Sequence, residues 1–264
     1  MKRLLLLTLV AAPLIGLSGP AAAQESAPPV MYWVYQEFVK PSMLQEYEAA
    51  AKEMIDVMGS VSASGSVEYI AISGSQFDYA YVMPIDGFAG IDKIWQEWSA
   101  MVEAIGQEKW AEIEASSSKA VDHAQSTVLM LREDLSYNLE MTALTTDRPF
   151  RAYTYWFGIP GKTSELEGVA KEYAELYEAK GLDHGWRIYQ TVMGPDQPVY
   201  LVVETAADEA DYHATAKKNR EALGDEGMKL NQKALKYARR VEEQHGWIRP
   251  DLSFPPPTAT GTRD

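Results

Sequence analysis

Four histidines stand in the 264-residue chain: His123, His184, His213 and His245. No two have the spacing of a zinc site or of a metalloprotease helix. His245 has the most chemical company, with Trp247 and Arg249 just beyond it. A neutral imidazole there could accept a proton or serve as an axial haem ligand. The simpler reading is a histidine at a helix C-terminus, meeting the helix dipole. His184, ahead of Gly185-Trp186-Arg187, is similar in kind. Glu37 lies in an aromatic stretch and is a candidate general base if its side chain points inward, where burial would raise its pKa. Glu209 and His213, four apart, read as a solvated helix pair. The chain has no cysteine, which excludes thiol catalysis, cysteine-ligated metal and disulfides. It also lacks a nucleophile elbow, a glycine-rich phosphate loop and a paired-carboxylate metal motif. The catalytic candidates are therefore Glu37 and His245, and no metal or cofactor is assigned.

Ligand-binding chemistry is better represented. Tyr35, Tyr81, Tyr153, Tyr155 and Trp186 fall on aromatic segments of alternating character, and Arg249 follows the last of them. Such side chains either fill a core or wall a pocket in which phenol hydroxyls orient a ligand. The excess of tyrosine over phenylalanine, 15 against 6, favours a pocket with polar contacts. Arg132 and Arg249 each precede an Asp-Leu-Ser by one residue. They could clamp a carboxylate. Because the feature occurs twice, it reads instead as structure, an Arg and Asp fastening the linker and the tail.

These residues sit on a duplicated frame. Pro41 to Met54 aligns without a gap on Pro160 to Tyr173, so that Glu46 to Met54 faces Glu165 to Tyr173. Leu131 to Tyr137 recurs as Ile248 to Phe254, and Ile105 to Glu108 as Leu223 to Glu226. The offsets agree closely, as in a tandem repeat. Each half reads as strand, helix, strand, strand, helix, strand. In the first, strands are expected over 31–38, 67–73, 77–83 and 127–131. Its helices carry Leu44 to Met58 and Phe88 to Ile105, the latter breaking near Gly106. In the second, strands are expected over 151–157, 185–192 and 199–204, with a helix over 164–179. A long helical region, kinked near Gly224 and Gly227, runs from Ala207 to about Val241 and leads into Gly246-Trp247-Ile248. On this reading the basic residues Lys229, Lys233, Lys236, Arg239 and Arg240 share one late helix as a solvated face. The expected organisation is a leader over 1–23, a first repeat over 24–137, a linker over 138–149, a second repeat over 150–254 and a Pro/Thr/Gly-rich tail over 255–264.

The order βαββαβ is the ferredoxin-like plan. Two copies can cover each other by packing sheet against sheet, giving an α+β fold with an intrachain barrel. In this the chain resembles the dimeric α+β barrel superfamily in fused two-repeat form, which includes NIPSNAP-like proteins, antibiotic-biosynthesis-type monooxygenases and haem-handling barrels. The resemblance implies ligands between sheet and helices or inside the barrel.

The N-terminus bears on compartment. Met1-Lys2-Arg3, an apolar run over Leu4 to Leu17 and Ala21-Ala22-Ala23 have the order of a secretory leader. The run is shorter than a spanning helix and is interrupted by Pro13 and Gly16. A periplasmic or secreted protein is expected, with no membrane contact after cleavage. Loss of Lys2 and Arg3 would move the formal charge from −14 to −16, a surface that repels nucleic acid. The functional expectation is an exported binding protein for a small apolar or aromatic ligand, compatible with a homo-oligomer. A cofactor-independent oxygenase or isomerase and a haem-handling protein are the alternatives.

Overall fold

The computed structural model describes residues 29–61, 67–142 and 147–255. The expected leader and nearly all of the expected tail lie outside the described residues. The first half runs β1 (Met31–Val39), α1 (Leu44–Val61), β2 (Ile70–Gly74), β3 (Asp78–Ile85), α2 (Ala89–Ile105), α3 (Gln107–Ser118) and β4 (Val121–Leu131). The second runs β5 (Phe150–Gly158), α4 (Thr163–Ala179), β6 (Arg187–Met193), β7 (Val199–Ala206), α5 (Glu209–Leu235) and β8 (Ala238–Ile248). The strand order within the halves is β4-β1-β3-β2 and β8-β5-β7-β6, and every pairing is antiparallel.

The halves meet edge to edge. β2 pairs with β8 through Ile72–Ile248, Ser73–Trp247 and Gly74–Gly246, while β4 pairs with β6 from Val128 to Leu131. The eight strands thus close into one barrel without a free edge. The intrachain barrel is the one expected, but the two sheets form it by joining edge to edge and not by packing face to face over a shared core. The described apolar cores lie outside the barrel, between strands and helices: one under α1 and α2, another under α4 and α5. Tyr47, Ala51, Ile55 and Met58 of α1 recur at helical spacing and supply the first.

Glycine divides the second helical region of each half. Gly106, at φ 93°, separates α2 from α3, and Gly224, at φ 52°, kinks α5 at the equivalent place. The expected helix to Val241 nevertheless ends at Leu235. Residues 238–248 are strand, so Arg239 and Arg240 leave the helix that carries Lys229 and Lys233. Local pattern misled because Arg239, Arg240, Glu242 and Glu243 show no apolar alternation. Pairing along the whole of β5 overrides that weak preference. In the same way β4 begins at Val121 rather than Thr127, since its rim residues Asp122, His123 and Ala124 are exposed.

The repeated arginines pair with the Asp two residues on, as expected for fastening the linker and the tail, and each also reaches the opposite repeat. Arg132, after β4, holds Asp134 at 2.8 Å and reaches Glu167 of α4 at 2.8 Å. Arg249, after β8, holds Asp251 at 2.9 Å and forks onto Glu48 of α1, with Nη2 to Oε2 at 3.1 Å. Tyr200 and Tyr79 donate to the same two glutamates, each at 2.5 Å. Each half is thereby clasped to the other's first helix. Hydrogen bonds from the arginines hold Glu48, Glu167 and Asp134 below the usual carboxylate range and Asp251 at about 2. Carboxylates depressed in the folded state stabilise it above their unfolded pKa, about 4, and lose that contribution as pH falls through the folded values. Stability is therefore expected to decline from about pH 4 toward pH 2, and thermal melting across that range, in wild type and in Arg132→Met/Arg249→Met, checks it. The double variant should show the shallower acid slope.

Candidate functional site

Strand alternation sends successive side chains to opposite faces, and it divides the candidate residues accordingly. Even positions of β1 and β3 and odd positions of β5, β6 and β7 face the inside of the barrel, which holds a cavity of about 440 Å³. Tyr153 and Tyr155 line it, joined by Tyr32 and Tyr189, whose rings meet edge to face at 5.8 Å. Val34, Val82, Leu129, Leu201 and Val203 supply aliphatic wall. Gly246 has no Cβ where one would stand 3.1 Å from the Tyr153 ring, so the tyrosine can lie against β8.

Charge is distributed unevenly over this lining. Asp78 accepts from the Gln36 amide at 2.7 Å and from the Gln76 backbone N–H at 3.1 Å. Glu242 and Asp196 both pair with Arg240, at 2.9 and 3.0 Å. Where β5 begins, Arg151 lies only 2 % exposed. Its Nη1 donates to the carbonyls of Arg148 (2.5 Å) and Phe150 (2.8 Å), but Nη2 has no partner among the described residues. Burial lowers its pKa to about 10, and the nearby cations Arg148 and Arg187 push the same way. Sequence reading passed over Arg151 and Arg187. The alternation that places Tyr153 and Tyr155 on one face of β5 also places Arg151 there, and that was the available signal.

Tyr35, Glu37 and Tyr81 face the other way, toward α1. Tyr47 donates to Glu37 at 2.5 Å and its hydroxyl lies 2.6 Å from that of Tyr81. Desolvation raises the pKa of Glu37, against the hydrogen bonds from Tyr47 and Tyr35, and burial raises that of Tyr81. The inward-pointing condition set for Glu37 is therefore met toward the helices and not toward the barrel. The equivalent positions in the second half are Trp156 for Glu37, Leu166 for Tyr47 and Val202 for Tyr81. With that polar cluster gone, a cleft of about 190 Å³ opens between the second sheet and its helices. Trp186 lines this cleft, its indole N–H donating to the Leu135 carbonyl at 3.3 Å. Glu204 lines it too and bonds the buried His184 at 2.6 Å.

His245 is in β8, not at a helix end. It borders the barrel cavity, but its ring packs on Phe150 at 5.1 Å and Tyr212 at 5.7 Å, with Nδ1 3.4 Å from Glu209. Arg249 is engaged in its clasp. The eight candidates thus fall at five places, and only Tyr153 and Tyr155 converge on the barrel interior.

No protein-family model matches the chain, and no curated protein matches it. Solved structures do share its fold. An anthrone oxidase-like protein superposes with a TM-score of 0.55 at 7 % identity, over 84 % of this chain and 92 % of that one. A mutant chlorite dismutase from Candidatus Nitrospira defluvii gives 0.52 at 11 %, over 84 % and 92 %. A provisionally assigned monooxygenase from Fusobacterium nucleatum subsp. nucleatum gives 0.51 at 12 %, over 84 % and 94 %. At these identities the shared property is the tandem ferredoxin-like α+β barrel.

Haem is the alternative that His184 and His245 raise, and the residues present do not fit it. An axial imidazole must point at the iron from the wall of a sufficient cavity. His184 lies beside Glu204 at a cleft of only about 190 Å³, far too small for a porphyrin. His245 turns its ring away from the barrel toward α5. Among the described residues no group of three or more His, Asp or Glu could hold a metal ion.

Proposed function

We propose that this chain is an exported protein that binds a small aromatic or apolar molecule inside its barrel. The carrying observation is the cavity of about 440 Å³ enclosed by the closed sheet and walled by tyrosines and aliphatic side chains. Its size falls within the roughly 300–1,000 Å³ usual for ligand sites, and so does its mixture of apolar wall with a few polar groups. The leader pattern supports a role outside the cytoplasm, and the acidic composition argues against nucleic acid as a partner. No helix of the described residues is long and apolar enough to cross a membrane.

The test fills the cavity from within. Ala80 of β3 faces it, and Ala80→Phe places a ring in space that is open. Wild type should bind the neutral probe 2-naphthol with a change in probe fluorescence, and Ala80→Phe should bind it at least about tenfold more weakly, the loss of roughly 1.4 kcal/mol of contact. Equal binding by the two proteins would sink the barrel as the site.

A further inference from the structure

We propose that the barrel selects organic anions: its ligand carries a carboxylate that is received by Arg151, assisted by Tyr153 and Arg187, while an apolar body lies among Tyr155, Tyr189 and the aliphatic wall. This rests on the reading of the barrel interior as the binding site and names the class of molecule it takes.

Three observations carry the assignment. Arg151 lines the cavity while 98 % of its surface is withdrawn from solvent, and its Nη2 has no partner among the described residues. A guanidinium presents its donors as a planar fork that matches a carboxylate in two parallel hydrogen bonds. Here one arm of that fork is held by two backbone carbonyls and the other is left over. Second, the Tyr153 hydroxyl, two residues along the same face of β5, is also buried without a partner. Two orphaned donors on one face of a strand are what an acceptor-only group such as a carboxylate would satisfy. Third, Arg187 adds a second cation from β6. It and Tyr153 are both paired with Val203 of β7, so they flank one residue, and its Nε is held by Thr142 at 2.9 Å.

No carboxylate bonds Arg151 among the described residues. Of the four acidic side chains that line the cavity, Asp78 is held by Gln36 and Gln76, Glu242 and Asp196 pair with Arg240, and Glu68 lies ahead of β2. Arg151 stays protonated at neutral pH even with burial acting against it. An uncompensated buried cation destabilises a fold, and an incoming anion removes that penalty. Affinity for the charged form should therefore exceed affinity for a neutral molecule of the same shape.

The experiment compares 2-naphthoate with 2-naphthamide at pH 7.5, in wild type, Arg151→Met and Tyr153→Phe, by fluorescence titration and thermal melting. Wild type should prefer the acid at least tenfold, about 1.4 kcal/mol. Arg151→Met should bind the two alike, and ligand-free it should melt higher than wild type because a buried unpaired charge has gone. Tyr153→Phe, which keeps shape and removes one donor, should narrow the preference several-fold and serves if Arg151→Met does not fold. An acid-over-amide ratio near one in wild type would overturn the anion assignment while leaving the barrel as a site for neutral ligands. A preference unchanged in the variants would overturn the role of these residues. Binding of neither probe, together with no binding of 2-naphthol, would overturn the barrel reading itself.

Discussion

Replacing Gly185 by alanine is expected to lower the melting temperature by about 6–12 °C, the equivalent of ~3 kcal/mol in a domain of this size. A Cβ at this position would stand 2.4 Å from the Asn138 carbonyl oxygen and 3.1 Å from that of Tyr137, far inside van der Waals contact. The third neighbour, the Met141 Cβ at 3.0 Å, is fixed directly to the backbone like the two carbonyls, so no flexible side-chain end can swing aside. Tyr137 and Trp186 exchange two hydrogen bonds here, at 3.1 and 3.0 Å, and the bridge joins the end of the first repeat to the start of β6. Relief of the overlap has to open that bridge, and each lost hydrogen bond costs about 1 kcal/mol. Strain passed to the Trp186 indole, which walls the second cleft, adds to this. Gly168→Ala is the matched control. A Cβ there meets nothing within 4 Å, and the site is interior to α4. It should raise stability by about 0.5–1 kcal/mol through helix propensity and a stiffer unfolded chain. Urea denaturation of the two variants separates a steric effect from a generic cost of losing glycine, and a Gly185→Ala midpoint within error of wild type would refute the close approach.

Arg249→Met is expected to destabilise by ~2 kcal/mol, and Arg132→Met by a similar amount, because each opens one clasp between the halves. The arginine and glutamate side chains of the clasps are only 17–27 % exposed, so water screens them less than an ordinary surface pair. Methionine keeps most of the apolar stem and removes the fork, leaving Glu48 or Glu167 without its cation. Arg249→Lys should recover less than half of the loss, since an ammonium cannot span Glu48 and Asp251 in the same geometry. A double-mutant cycle of Arg249→Met with Glu48→Gln should give a coupling of about 1–2 kcal/mol. A cycle of Arg249→Met with Arg132→Met should be near additive, because the clasps share no residue. A coupling near zero within a clasp would mean that it contributes geometry and no stability.

The repeat was readable from sequence because equivalent segments kept both residue type and spacing. Helices α1, α2 and α4 were readable for a related reason: an apolar stripe at a period of 3.6 residues is a local property. The break at Gly106 and the kink at Gly224 were legible too, since glycine marks a backbone conformation other residues resist. β8 was not. Its stretch of Arg239 to His245 carries no strand pattern of its own and is held extended by β5.

The candidate residues show the same division. Which aromatic and titratable side chains could bind a ligand is a matter of composition, and Tyr153, Tyr155 and Trp186 were visible on that basis. Which of them share a cavity is a matter of parity around a closed sheet, and a shift of one residue in register moves a side chain from the barrel interior to the helix face. So Tyr35, Glu37 and Tyr81 meet under α1, while Tyr153 and Tyr155 meet Arg151 inside the barrel. The duplicated βαββαβ plan is legible in the amino-acid order, because its signals are local and occur twice. That the two sheets join edge to edge, that their arginines clasp the opposite repeat, and that Arg151 is buried with a donor to spare emerge in the folded chain alone. Those facts depend on contacts between residues up to 201 positions apart, which no local pattern encodes.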